Sequence, residues 1–197
     1  MSTASAAIPV AEVPWTLPSR GRVGMFCLIT AEAAIFTIFV VAYLFYIGKS
    51  LSGPTPRQVL EIPIFSTVCL LSSSLTIHFA ERALERARMA VFKVLWFLTL
   101  ALGAIFLTST GLEWNHLIGE GLTISANLFG TTYYSLVGLH AFHVAVGLIG
   151  LTLVMVLALA ARIRQEHAER VAVFSLYWHF VDAVWVVVFT VVYIIGR

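Results

Sequence analysis

YWHFVDAVWVVVFTVVYIIG, Tyr177 to Gly196, is apolar throughout most of its length and long enough to cross a bilayer, whose core takes about 20 helical residues. Yet its first six residues include Trp178, His179 and Asp182. An ionisable side chain at the centre of a membrane helix costs about 2.5–3.5 kcal/mol on the mildest insertion scale, so such groups are rare in spans and usually face other protein. The stretch makes this a membrane chain and asks what His179 and Asp182 face.

The surrounding composition agrees. Of 197 residues, 60% are hydrophobic and 11% charged, where a soluble domain carries roughly 25% charged residues. Mean hydropathy is +0.95. The net charge of +2 matters less than where the charges sit. Cys27 and Cys69 both fall in apolar stretches, where thiols act as small hydrophobes. They form no CxxC pair. No basic stretch leads into a short apolar run with a cleavage site, so no signal peptide is expected.

Residues 1–21, rich in Ala, Ser, Thr and Pro, read as a flexible leader, followed by one membrane domain over 22–197. Its expected spans are 22–47, 62–80, 91–112, 128–161 and 174–195. Between the second and third lies the charged connector ERALERAR, Glu81 to Arg88. The third is followed by a stretch with Glu113, His116 and Glu120 that reads as a loop. The fourth run would be roughly 50 Å long and must tilt or protrude from a ~30 Å core. The fold class is therefore an all-α integral membrane bundle of five transmembrane helices.

Charge placement sets the expected orientation. The leader and the second and fourth connectors hold Arg20, Arg22, Arg82, Arg86, Arg88, Lys93, Arg162, Arg164 and Arg170. The other side receives Lys49, Arg57 and Arg197. By the positive-inside rule the N-terminus is cytoplasmic and the C-terminus outside.

Several polar groups lie inside the spans. Glu32 sits ten residues into the first, about 15 Å deep. It is a candidate for a lipid-facing or proton-accessible cavity, or for an interhelical hydrogen bond. His140 and His143 lie three apart on the fourth span and share a face, with Gly138 and Gly147 beside them. His179 and Asp182 repeat that spacing on the fifth. About a dozen residues join these two spans, which makes them antiparallel neighbours. A His–Asp contact across them would offset the burial of both groups. His140, His143, Trp178, His179 and Asp182 thus form an expected structural polar cluster. The sharper reading is haem ligation by His143 and His179, which would make the chain a b-type membrane cytochrome anchor. A second histidine pair is missing, because His78, His116 and His167 lie at span ends or in connectors. No GxGxxG, Walker, nucleophile-elbow or HExxH pattern is present. A transporter would be expected to show internal repeats, and none is visible.

Four blocks resemble subunit III of the haem–copper oxidases, the cytochrome c oxidase subunit III family. GMFCLITAEAAIF (Gly24–Phe36) places Glu32 where that family has an intramembrane glutamate. EIPIFSTVCLLSSS (Glu61–Ser74) is similar to its Pro and small-polar helix. FGTTYYSLVGLHAFHVAVG (Phe129–Gly147) carries its G-x-H-x-x-H-V-x-x-G pattern. YWHFVDAVWVVVFTVVY (Tyr177–Tyr193) carries its W-H-F-x-D-x-x-W pattern.

The resemblance implies a non-redox subunit. It would have no catalytic, cofactor or metal site of its own, with haem and copper held by a partner catalytic subunit. Subunits I and II and membrane phospholipids are the implied partners, without nucleic acid, in a bacterial-type inner membrane. Its implied role is to bind lipid and support oxygen access and proton uptake. Longer relatives have seven spans, and this chain has five. The family often has Gln three residues before the acid ending the third span; here Thr110 precedes Glu113, which stands as a further candidate. Five-span relatives include quinol oxidase subunits and a protein associated with nitric oxide reductases. Glu32 favours the cytochrome c oxidase form.

Overall fold

The computed structural model describes residues 19–50 and 55–196. Among them are α1 (Arg20–Tyr46), the short α2 (Pro56–Val59), α3 (Ile64–Glu85), α4 (Met89–Gly119), α5 (Leu128–Leu159) and α6 (Ala168–Phe189). A 3-10 turn, Gln165–His167, precedes α6, and a π-helical turn, Thr190–Ile195, continues it. The described residues contain no strand. Five helices, all but α2, are long and apolar enough to cross a membrane. The chain is a multi-pass, all-α membrane protein. The expected leader lies mostly outside the described residues, and α1 begins at Arg20.

Local chemistry sets the helix ends. Ser19 caps α1 by accepting from the Arg22 N–H, and Asn127 caps α5 by accepting from the Gly130 N–H at 2.7 Å. Pro63, which has no N–H to lose, stands immediately before α3. Three helices close with one device, in which the second residue past the helix turns left-handed. Ala87, Gly121 and Ala161 have φ of 55°, 82° and 55°. In each case the next N–H reaches back five residues, as from Arg88 to the Ala83 carbonyl at 2.8 Å. This is the Schellman geometry, normally occupied by glycine.

Three span ends differ from the sequence expectation, one of them the start of α6, which lies at Ala168 rather than at 174. Helix α3 runs through the first half of the charged connector to Glu85. Helix α4 continues past Leu112 to Gly119, so Glu113 and His116 are helical rather than in a loop. At 31 residues α4 is about 46 Å long and extends beyond a ~30 Å core. Its last turns keep their backbone bonds internally although the side chains turn polar.

Helices α3, α4, α5 and α6 pack in a ring, each against two neighbours, and α1 lies outside the ring against α5 and α6. Only Phe36 and Tyr43 of α1 are buried. In a bilayer the outward faces are as apolar as the inward ones, so Ile38, Phe65, Phe97, Leu112 and Ile149 point outward. Close approach is marked by small and hydroxyl-bearing residues instead. The centre of the ring is Trp178, fully buried. Its indole N–H donates to Ser73 Oγ on α3 at 2.8 Å. Its six-membered ring occupies the space left by Gly103 on α4 and Gly147 on α5, where an added Cβ would come within 2.8 and 2.9 Å.

Candidate functional site

Glu32 and His143 meet between α1 and α5, about half-way along both helices. Glu32 is twelve residues from the start of α1, about 18 Å along its axis. Its Oε2 lies 3.0 Å from His143 Nε2, and the two side chains are 23% and 8% exposed. His143 Nδ1 is 2.7 Å from the Leu139 carbonyl oxygen. A carbonyl only accepts, so Nδ1 carries hydrogen and donates. One proton then occupies the Glu32–His143 axis. It belongs either to a carboxyl donating to neutral imidazole or to an imidazolium donating to carboxylate. Phe36 packs on the imidazole at 4.9 Å between centroids. The Tyr177 hydroxyl donates to the His143 carbonyl at 3.2 Å. Sequence reading singled out both members of this pair but did not join them.

His179 and Asp182 turn to α3, not to α5. The Ser74 hydroxyl donates to Asp182 Oδ2. His179 Nδ1 lies 3.1 Å from the same hydroxyl oxygen. With the single Ser74 hydrogen given to Asp182, His179 is the donor in that second bond. The expected contact between the fourth and fifth spans through His179 and Asp182 is therefore replaced by one between the second and fifth. The reason is local: Ser73 and Ser74 present hydroxyls on α3 at the level of Trp178 and Asp182, while His143 on α5 is taken by Glu32.

The expected single cluster thus divides. His143 faces α1, His179 and Asp182 face α3, and Trp178 fills the ring centre. His143 is bonded to Glu32 on α1 and His179 to Ser74 on α3, so the two histidines have separate partners. His140, fully buried, stacks on Trp185 at 4.9 Å and meets Phe106 edge-on at 5.8 Å. Neither of its ring nitrogens has a hydrogen-bond partner among the described residues. Cys27 and Cys69 are free. No group of three His, Cys, Asp or Glu among the described residues is placed to hold a metal ion.

A third polar centre lies at the end of the bundle opposite the arginines. Glu113 Oε1 accepts from Tyr193 at 2.8 Å and Tyr133 at 3.1 Å, joining α4, α5 and the π-helical turn after α6. A groove of ≈ 250 Å³ beside it is lined by Glu61, Pro63, Ser109 and His116 among others. The sequence reading had no partner for Glu113. A usable signal was present, because buried tyrosine hydroxyls seek acceptors and Glu113 is a nearby acid on a neighbouring helix.

With this geometry in place, comparison with known proteins is decisive. The family model for "Cytochrome c oxidase subunit III" matches residues 17–197. The chain belongs to that family. It is 34% identical to cytochrome c oxidase subunit 3 of Bacillus sp. strain PS3, over 92% of this chain and 89% of that one. Identity to cytochrome c oxidase subunit 3 of Bacillus subtilis strain 168 is 30%, over 95% and 93%. Against the cytochrome bo(3) ubiquinol oxidase subunit 3 of Pseudomonas aeruginosa PAO1 it is 30%, over 88% and 84%. The four blocks singled out above, from Gly24 to Tyr193, all lie inside the family match. Subunit III of a haem–copper oxidase, using cytochrome c or quinol, is therefore the class of this chain.

Proposed function

We propose that this chain is the accessory, non-redox subunit III of a proton-pumping cytochrome c oxidase in a bacterial-type inner membrane, N-terminus in the cytoplasm. Haem and copper belong to the partner subunit I and to subunit II. This chain binds phospholipid and supports oxygen access and proton uptake by the catalytic subunit. The observation that carries the role is the Glu32–His143 pair. It is a protonatable couple on the outermost helix, half-way through the bundle, and partly open to its surroundings. A quinol-oxidising complex is the second reading, favoured by the bo(3) relative at 30% identity.

The test is the Glu32→Ala variant in the assembled oxidase. Subunit III should still co-purify with the catalytic subunit, while the number of turnovers before inactivation falls and bound lipid changes. Failure of the variant to fold, or an unchanged lifetime and lipid content, would make Glu32 a structural residue and defeat the proposal. Oxidation of cytochrome c but not quinol by the purified complex separates the two donors.

A further inference from the structure

We propose that the turn between α3 and α4 binds the headgroup of an anionic phospholipid. This inference rests on the phospholipid binding proposed above and deepens it, at a site separate from Glu32. Three arginines converge there: Arg82 and Arg86 from the end of α3, and Arg88 at the start of α4. All three are exposed, and none forms an ion pair with a described residue. They line a groove of ≈ 330 Å³ that includes no carboxylate among its lining residues.

The floor of the groove is apolar. Phe79 lies three residues before Arg82, and Val91 and Leu95 lie three and seven after Arg88. Seven residues of helix carry the floor about 10 Å toward the membrane centre. A cationic rim above an apolar groove matches a ligand with a charged phosphate and acyl chains. Basic pockets between transmembrane helices are a recognised form of acidic-lipid site.

The rim is held in place. Ala87 is left-handed, with the Ala87 and Arg88 N–H groups bonded to the Leu84 and Ala83 carbonyls at 3.0 and 2.8 Å. This fixes how Arg86 and Arg88 leave the turn. No side chain caps the N-terminus of α4 and no acid occupies its first turn, so the positive end of its dipole adds to the attraction for an anion. Guanidinium groups suit phosphate better than ammonium groups, because they donate two parallel hydrogen bonds.

The full chain in mild detergent can be titrated with dihexanoyl phosphatidylglycerol, the matching phosphatidylcholine and inorganic phosphate, followed by 31P line broadening. Saturable binding of phosphatidylglycerol, much weaker for the other two, is expected. Each arginine near an anionic headgroup accounts for about a five-fold factor, so R82Q/R86Q/R88Q should lose on the order of a hundred-fold. R162Q/R164Q/R170Q removes equal charge from the same end and should bind normally. R82K/R86K/R88K keeps charge and topology and should bind several-fold more weakly, which decides the matter if the glutamine variant does not fold. The proposal fails if the glutamine or lysine variant binds as wild type, or if both glutamine variants lose equally. It also fails if inorganic phosphate binds as tightly as the lipid.

Discussion

Alanine at Gly147 would add a Cβ 2.9 Å from Cε3 and Cζ3 of Trp178 and 3.3 Å from Cε1 of Tyr177. Non-bonded carbons rest at about 3.5–4.0 Å, so the indole would have to retreat by roughly 0.6–1.1 Å. It has no room to do so. On its other side a Cβ at Gly103 would already lie 2.8 Å from Cη2, and Nε1 is held by Ser73. Overpacking a filled core costs about 1–3 kcal/mol, and this site belongs near the top of that range. The helix-propensity gain of alanine over glycine returns about 0.5–1 kcal/mol. The net prediction for G147A is a loss of about 1.5–2 kcal/mol. G111A, with nothing within 4 Å of its added Cβ, should be neutral or slightly stabilising. Equilibrium unfolding of the full chain in mixed micelles with increasing dodecyl sulfate measures both. Trp178→Phe removes the ring atoms that clash, so the double variant should recover about 1 kcal/mol as coupling. Equal stability of G147A and G111A, or no coupling with Trp178, would refute the tight-packing argument.

Two further predictions use the same unfolding assay. Ser74→Ala removes the group that Asp182 and His179 both bond and should cost about 1–2 kcal/mol, as buried polar groups lose their partner. Ser72→Ala, which removes no side-chain hydrogen bond to a described residue, should stay within about 0.5 kcal/mol. Ala87→Gly and Ala161→Gly relieve left-handed backbone at two helix ends and should each stabilise by about 0.5–1 kcal/mol. Destabilisation by either would show that its methyl group packs more favourably than the backbone strain it imposes.

The five membrane helices were legible because each needs about 20 apolar residues, and apolar runs of that length are the strongest signal a sequence carries. Their ends were less so. Hydropathy falls at Glu113, but α4 does not end there, since a helix leaving the bilayer keeps its backbone bonds whatever its side chains are. The inward faces were illegible for a different reason. Lipid rewards apolar surface as the core does, so no hydrophobic stripe points inward; Ser73, Gly103 and Gly147 mark the interior by being small. Glu32 stood out as a carboxyl in a span, but its partner is 111 residues away on a helix not adjacent in sequence. The short α5–α6 connection suggested one partner for His179 and Asp182, whereas α6 touches α1, α3 and α5 alike.

The Leu139 carbonyl has a consequence for traffic through the bundle. A histidine passes protons onward by taking one at one nitrogen and releasing another from the opposite nitrogen. In His143 the opposite nitrogen is closed by the backbone of its own helix. On the function proposed above, a proton arriving through Glu32 would have nowhere to go unless the ring turned over, and would leave by the way it came. In that reading the couple is a cul-de-sac rather than a wire, closed on the far side by the helix that carries it.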